Sequence, residues 1–331
     1  MNQDFVDVLA NVSVAGKING GDVLRLRESL WAEEILPQSA LEALFDLNRR
    51  CEDIAPEWAD LLLEALDHFL LHQTAPFGFL DETGAAWLRA QLDQAGRVHG
   101  RLEMELLVNI MENAENTPDW FKAWTLSQVE ETIMTGVGPT RDPASVSPNC
   151  IDEAEVDLIR RIIFSSGGVG AEIVGAHEAD MLFRLKDRTL HSDNAPGWSS
   201  LFVQGVGNHL MTHSDYRQLS QAEAKRLNSF MNEHTPNLAG FFGRMLPREM
   251  FGTGTIAQAF KAVFDSDEED RFDDESGEES NRELTMEEAG WLKTHIAADG
   301  QTDELEKLLL TFILEETGNL PAMLDTVRRR A

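Results

Sequence analysis

Cysteine is scarce in this chain. Cys51 and Cys150 are the only two in 331 residues, too few for a disulfide framework and in keeping with a reducing compartment. Basic residues are also short: 28 Lys and Arg stand against 58 Asp and Glu, for a net charge of −30. Phosphate backbones and anionic headgroups are held by clustered Lys and Arg, so the expected partners include neither nucleic acid nor membrane. No apolar run reaches the roughly 20 residues of a transmembrane helix. The stretch from Met1 to Asp7 has neither a basic region nor a long apolar run, so no signal peptide is read and a cytoplasmic location is expected. Catalytic signatures are missing too, with no Gly-x-Ser-x-Gly, Walker loop or dinucleotide fingerprint. Ser165-Ser166-Gly167-Gly168-Val169-Gly170 is glycine-rich, but no Lys-Ser/Thr pair follows it.

What is present is helical periodicity. Trp58, Leu61, Leu62, Ala65, Leu66, Phe69 and Leu70 form one apolar stripe, and Leu102, Leu106, Ile110 and Ala114 another. Capping-box spacing occurs at Ser39/Glu42, Asp152/Glu155, Ser220/Glu223 and Thr285/Glu288. Pro56, Pro118 and Pro196 stand where a first helical turn tolerates proline. No alternating run marks a strand, and the expected fold is all-α.

The chain also repeats its own grammar. Val23, Leu26, Arg27, Leu30 and Trp31 lead through Leu44-Phe45-Asp46-Leu47 to Pro56-Glu57-Trp58. The pattern returns as Val156, Ile159, Arg160, Ile163 and Phe164, then Leu182-Phe183-Arg184-Leu185 and Pro196-Gly197-Trp198. A second pattern runs from Ala85-Ala86-Trp87-Leu88 to Leu102-Glu103, and again from Ala289-Gly290-Trp291-Leu292 to Leu305-Glu306. Such recurrence implies packing units used twice. The reading is two pseudo-repeated helical bundles: residues 1–138, a linker at 139–150, and residues 151–331. The second half divides into an A unit at 152–213, an insert at 214–264, an acidic linker at 265–283 and a B unit at 284–331. Trp31, Trp58, Trp87, Trp198 and Trp291 are assigned to core packing.

The insert has two unlike parts. Phe241, Phe242, Met245, Met250, Phe251 and Phe260 form the candidate partner surface, since Phe and Met are favoured where proteins dock. Residues 265–283 hold eleven acids against Arg271 and Arg282, a net charge of −9, and read as an unstructured tether.

Candidate metal chemistry fails on its details. Ala297-Ala298-Asp299-Gly300 followed by Asp303, Glu304 and Glu306 has the outline of an EF-hand. Setting Gly300 at loop position 6 puts His295 at position 1 and Ala297 at position 3, where oxygen ligands are required. The related turn has Ala95 in place of the acid before Gly96. This Asp-Gly turn with its following Leu-rich stripe resembles the acidic helical proteins of the tellurite-resistance B-like family. The longer pattern from Leu44 through Trp58 to Trp87 is similar to a group of uncharacterised duplicated helical-repeat proteins from bacteria. The first resemblance implies a helical acidic fold; the second implies no activity. His68/His72 and His209/His213 have the i,i+4 spacing of zinc ligands. They fall about one residue, or 100°, out of register between the repeats, which favours histidines at wet helix ends. Neither cysteine has a catalytic partner nearby.

The resulting expectation is a non-enzymatic acidic helical scaffold or adaptor without a cofactor, bound to an unidentified protein, with a basic one favoured by charge. The alternative is a divalent-cation-responsive protein built on degenerate helix-loop-helix units.

Overall fold

A computed structural model describes residues 3–32, 35–73, 77–141, 147–165, 174–212, 284–296, 302–322 and 324. They form twelve α-helices in two compact units, Met1–Glu172 and Ile173–Ala331. None of the described helices is long and apolar enough to cross a membrane.

In the first unit α1 (Gln3–Ala15) buries Phe5, Val8 and Val12 at helical spacing against α2 (Gly20–Leu30) and α3 (Gln38–Arg50). The Asn19 side chain caps α2 by accepting from Asp22 N, and the Asp22 carboxylate answers on Asn19 N. Helix α4 (Glu57–Asp67) carries the stripe read from the sequence, with Trp58, Leu61, Leu62, Ala65 and Leu66 buried. It packs on α2, α3 and α6 (Arg101–Asn113). Each such buried Leu contributes roughly 1.5–3 kcal/mol, so this stripe is a substantial anchor of the unit. Helix α5 (Glu82–Leu92) is capped by Asp81, whose side chain accepts from Gly84 N.

Helix α7 (Asp119–Thr135) ends at Gly136, which has a φ of 70°. Pro148 N would lie 2.8 Å from an added Cβ there. Glycine is therefore required twice over, by the left-handed turn and by the close approach. Helix α8 (Glu153–Ile163) carries the Asp152/Glu155 capping box as expected. It packs against α6 and α7, so it lies in the first unit, although the sequence pattern opened the second half with it.

The second unit contains α9 (Ala176–Thr189), α10 (Gly197–Thr212), α11 (Met286–Ile296) and α12 (Glu304–Thr317). Helix α10 packs against both α9 and α12. Gly207 permits the approach to α12, since an added Cβ would stand 2.4 Å from Phe312 Cε1. Trp198, Phe202, Val206, Leu309, Leu310 and Ile313 form its core.

Three local expectations are corrected. A two-residue parallel pairing joins β1 (Lys17–Ile18) to β2 (Asp53–Ile54), a feature too short to leave an alternating pattern. Ser39 lies inside α3, which starts after Pro37 without a side-chain cap. Only Trp58 and Trp198 of the five tryptophans are buried outright; Trp31, Trp87 and Trp291 are half-buried.

Candidate functional site

The densest polar cluster in the described chain is built around Lys186. Leu182, Leu185, Lys186 and Thr189 are all buried in α9, so the lysine occupies a position of the apolar face. Its side chain is 1% exposed. Nζ lies 2.5 Å from Asp303 Oδ2, 2.6 Å from Glu306 Oε1 and 2.7 Å from Asp187 Oδ1. Asp303 and Glu306 also form the capping box of α12: Asp303 Oδ1 accepts from Glu306 N at 2.9 Å, and Glu306 Oε2 accepts from Asp303 N at 3.0 Å. Each carboxylate thus divides its oxygens, one to the helix end and one to the ammonium. The positive end of the α12 dipole further favours two acids there.

Burial works against the charge on Lys186, yet the hydrogen bonds it donates to Asp187, Asp303 and Glu306 outweigh it. They hold the ammonium above its ordinary range. For Glu306, burial pushes the carboxyl up, opposed by the hydrogen bond and charge of Lys186. The cluster is a mutual dependence: neither charge is tolerable in that place without the other.

In the first unit an asparagine bridges a carboxylate and an indole. On α3, Asn48 Nδ2 donates to Glu103 Oε1 at 2.9 Å, and Asn48 Oδ1 accepts from Trp58 Nε1 at 2.9 Å. In the aligned sequence patterns Asn48 matches Lys186, Glu103 matches Glu306 and Trp58 matches Trp198. Lysine has no acceptor atom, and Trp198 Nε1 is buried without a hydrogen-bond partner among the described residues.

Two further tryptophans donate to carboxylates. Trp87 Nε1 donates to Glu42 Oε1, and Trp291 Nε1 to Asp180 Oδ1, both at 3.2 Å. Phe45 and Phe69 flank Trp87, with ring centroids 6.1 and 5.2 Å away. Phe183 and His209 flank Trp291, at 5.6 and 5.0 Å.

Two further ion-pair centres lie in the first unit. Arg141 is 6% exposed and bonds both oxygens of the fully buried Glu155, together with the Cys150 carbonyl. Arg161 of α8 forks onto Glu105 and Glu112 of α6, with four N···O distances of 2.6–2.9 Å. The hydrogen bonds that Arg161 donates to Glu112 and Glu105 raise its pKa.

Among the described residues, Asp187, Asp303 and Glu306 are the one group whose ligand atoms, all within 4.8 Å of one another, could hold a metal ion. The Lys186 ammonium already lies against all three. A cation entering there competes with a charge supplied by the chain itself. The sequence signal for this site was a lysine in the buried stripe of α9, followed 117 residues later by Asp303.

The histidine pairs resolve differently. His68–His72 is a π-helical turn that extends α4, and its two histidines take separate partners. His68 meets Trp31 edge-on, and His72 pairs with Asp67 at 3.0 Å. His209 is not at a wet helix end: it is 6% exposed and its Nδ1 lies 2.9 Å from the Val174 carbonyl. His213 lies outside the described residues, as do Asp299-Gly300, the tether at 265–283 and the docking candidates Phe241, Phe242, Met245, Met250, Phe251 and Phe260. Cys51 is buried, which pushes its thiol up and away from thiolate chemistry.

No protein-family model, curated protein or solved structure matches this chain.

Proposed function

We propose that the chain is a duplicated, non-catalytic, acidic helical scaffold or adaptor that engages a basic protein partner. The observation that carries this reading is how the scarce cations are used. Lys186, Arg141 and Arg161 each take two or more carboxylates inside their own unit. With 58 acids against 28 bases in the chain, such internal use leaves the surplus acids to face outward. An acidic surface steers basic partners and repels polyanions. The docking element in this reading is the Phe/Met segment from Phe241 to Phe260, with the acidic run after it as a tether. The matched contacts at Asn48/Lys186, Trp58/Trp198 and Trp87/Trp291 support the duplication.

The test is affinity capture from lysate with the full chain and with a variant lacking residues 239–283. Recovery of the same proteins by both refutes the docking role. Binding that does not weaken as salt is raised refutes the charge complementarity.

The cluster of Asp187, Asp303 and Glu306 favours one second reading, a divalent-cation response. Calorimetry with calcium, magnesium and zinc decides it; no heat and no shift in melting temperature removes it.

A further inference from the structure

We propose that the loop before α5 and the start of α7 form a docking surface for a short basic, amphipathic segment of a protein partner. This surface rests on the reading of a basic partner, though it is separate from the Phe241–Phe260 segment. Phe77 is 61% exposed and Phe79 37%, whereas Leu80 beside them is buried. The backbone that carries them is pinned. Gly78 N donates to the Leu71 carbonyl at 2.6 Å, Glu115 N to the Gly78 carbonyl at 2.7 Å, and Leu80 N to the Asn116 carbonyl at 3.0 Å. Two phenyl rings are thus held in water by an ordered loop, and exposed apolar groups with a polar rim mark contact surfaces.

Packing of the unit does not call for these rings. Asp81 caps α5 by accepting from Gly84 N, and Thr285 caps α11 by accepting from Glu288 N, which sets the two helices in register. Leu80 and Leu284 then coincide, and both are buried. In the same register Phe77 stands against Asn281 and Phe79 against Glu283. The core explains the leucine that both copies keep. It does not explain phenylalanines that the second copy replaces with polar residues.

The neighbours of the rings are acidic. Asp81 and Glu82 follow the loop, Glu115 faces Gly78 and Asp119 opens α7; all four acids are exposed. Trp120 Nε1 donates to Glu82 Oε2 at 2.6 Å, which ties the starts of α5 and α7 together. Neither 73–88 nor 111–121 contains Lys, Arg or His. The cations that come near are engaged: Arg89 lies over the Trp120 and Trp124 rings, and His72 pairs with Asp67. Four carboxylates beside two exposed phenyl rings complement a ligand with both apolar and cationic side chains, and they repel a polyanion or an anionic lipid surface.

The probe is a short synthetic Leu/Lys amphipathic peptide, titrated into the full chain by calorimetry, with its footprint read by hydrogen exchange. Added protection is expected at 77–82 and 115–120. Phe77→Ser/Phe79→Ser should weaken binding about tenfold. Glu115→Gln/Asp119→Asn should weaken it about threefold and make it less sensitive to salt. Without peptide, both variants should keep the exchange of α4 and α6 seen in the unmodified chain, because exposed side chains carry little of the packing. A peptide with Glu in place of every Lys should not bind. The proposal is overturned by absent binding, by equal binding of the acidic peptide, or by full affinity in the phenylalanine variant. It is also overturned if sedimentation shows the chain pairing with a second copy through these rings. A footprint confined to 239–264 overturns this surface and leaves the wider reading standing; a footprint at 77–82 stands even if lysate capture shows no role for residues 239–283.

Discussion

Removing the Lys186 side chain separates the energetics of its cluster from simple packing. Lys186→Met keeps the apolar stem but leaves the 2%-exposed Glu306 and the 10%-exposed Asp303 without their counter-charge. Breaking one partner of such a buried pair costs about 3–5 kcal/mol. Lys186→Asn copies the first unit and should cost less. Its amide can donate to Glu306 as Asn48 does to Glu103, and its carbonyl oxygen can accept from Trp198 Nε1, now buried without a partner. Recovering a bond to a charged group and satisfying an orphaned donor are each worth on the order of 1–3 kcal/mol, offset by the carboxylates that stay unneutralised. The asparagine variant should therefore exceed the methionine variant in stability by about 2 kcal/mol. The chain has two units, so global melting blurs the result. Hydrogen exchange of α9 and α12 amides, with α3 and α6 as internal references, reads the affected unit alone. If Lys186→Asn proves as damaging as Lys186→Met, the equivalence of Asn48 and Lys186 is wrong.

The tryptophans matched to these two positions should respond by different amounts. Removing the indole donor in Trp58→Phe leaves Asn48 Oδ1 unpaired and should destabilise α4 by about 1 kcal/mol beyond the packing loss that Trp198→Phe shares, as read by exchange on α4 and α10. Arg141→Ala exposes no new surface to rescue Glu155 and should destabilise α8 by about 3–5 kcal/mol, with Arg141→Ala/Glu155→Leu recovering part of the loss in the same assay. Arg161→Ala removes a fork that is 27% exposed and should cost only about 1 kcal/mol, measured as reduced protection of α6 and α8. Iodoacetamide under native conditions should label Cys150 ahead of Cys51, which is buried with its thiol pushed up; equal labelling by mass spectrometry would contradict the burial.

The helices were legible because their apolar residues keep helical spacing, and the stripe from Trp58 to Leu66 lies buried as that spacing implies. The Asp152/Glu155 and Thr285/Glu288 boxes also form, since both need only residues three apart. Ser39 satisfied the same spacing, but Pro37 already starts the helix. The Lys186 cluster was less legible: a lysine within an apolar stripe is visible, but Asp303 and Glu306, two of its three carboxylates, come from the far side of the 213–283 segment. The placement of α8 was hidden for a related reason. Local pattern aligned it with α2, whereas Arg161 pairs it with α6. The burial of His209 was hidden because the Val174 carbonyl that its ring meets lies 35 residues away.

The division of the second unit has a consequence during synthesis. Helices α9 and α10 emerge first, with Asp187 beside Lys186, yet Asp303, Glu306 and the Leu309, Leu310 and Ile313 surface that covers α10 are encoded more than ninety residues later. At ordinary translation rates of roughly 5–20 residues per second, that is an interval of about 5–20 s. Through that interval α10 has α9 to pack on but not α12. A nascent chain with these two helices outside the ribosome and α12 still unmade is a natural client for a holding chaperone, and the first unit, whose helices follow one another closely, is not.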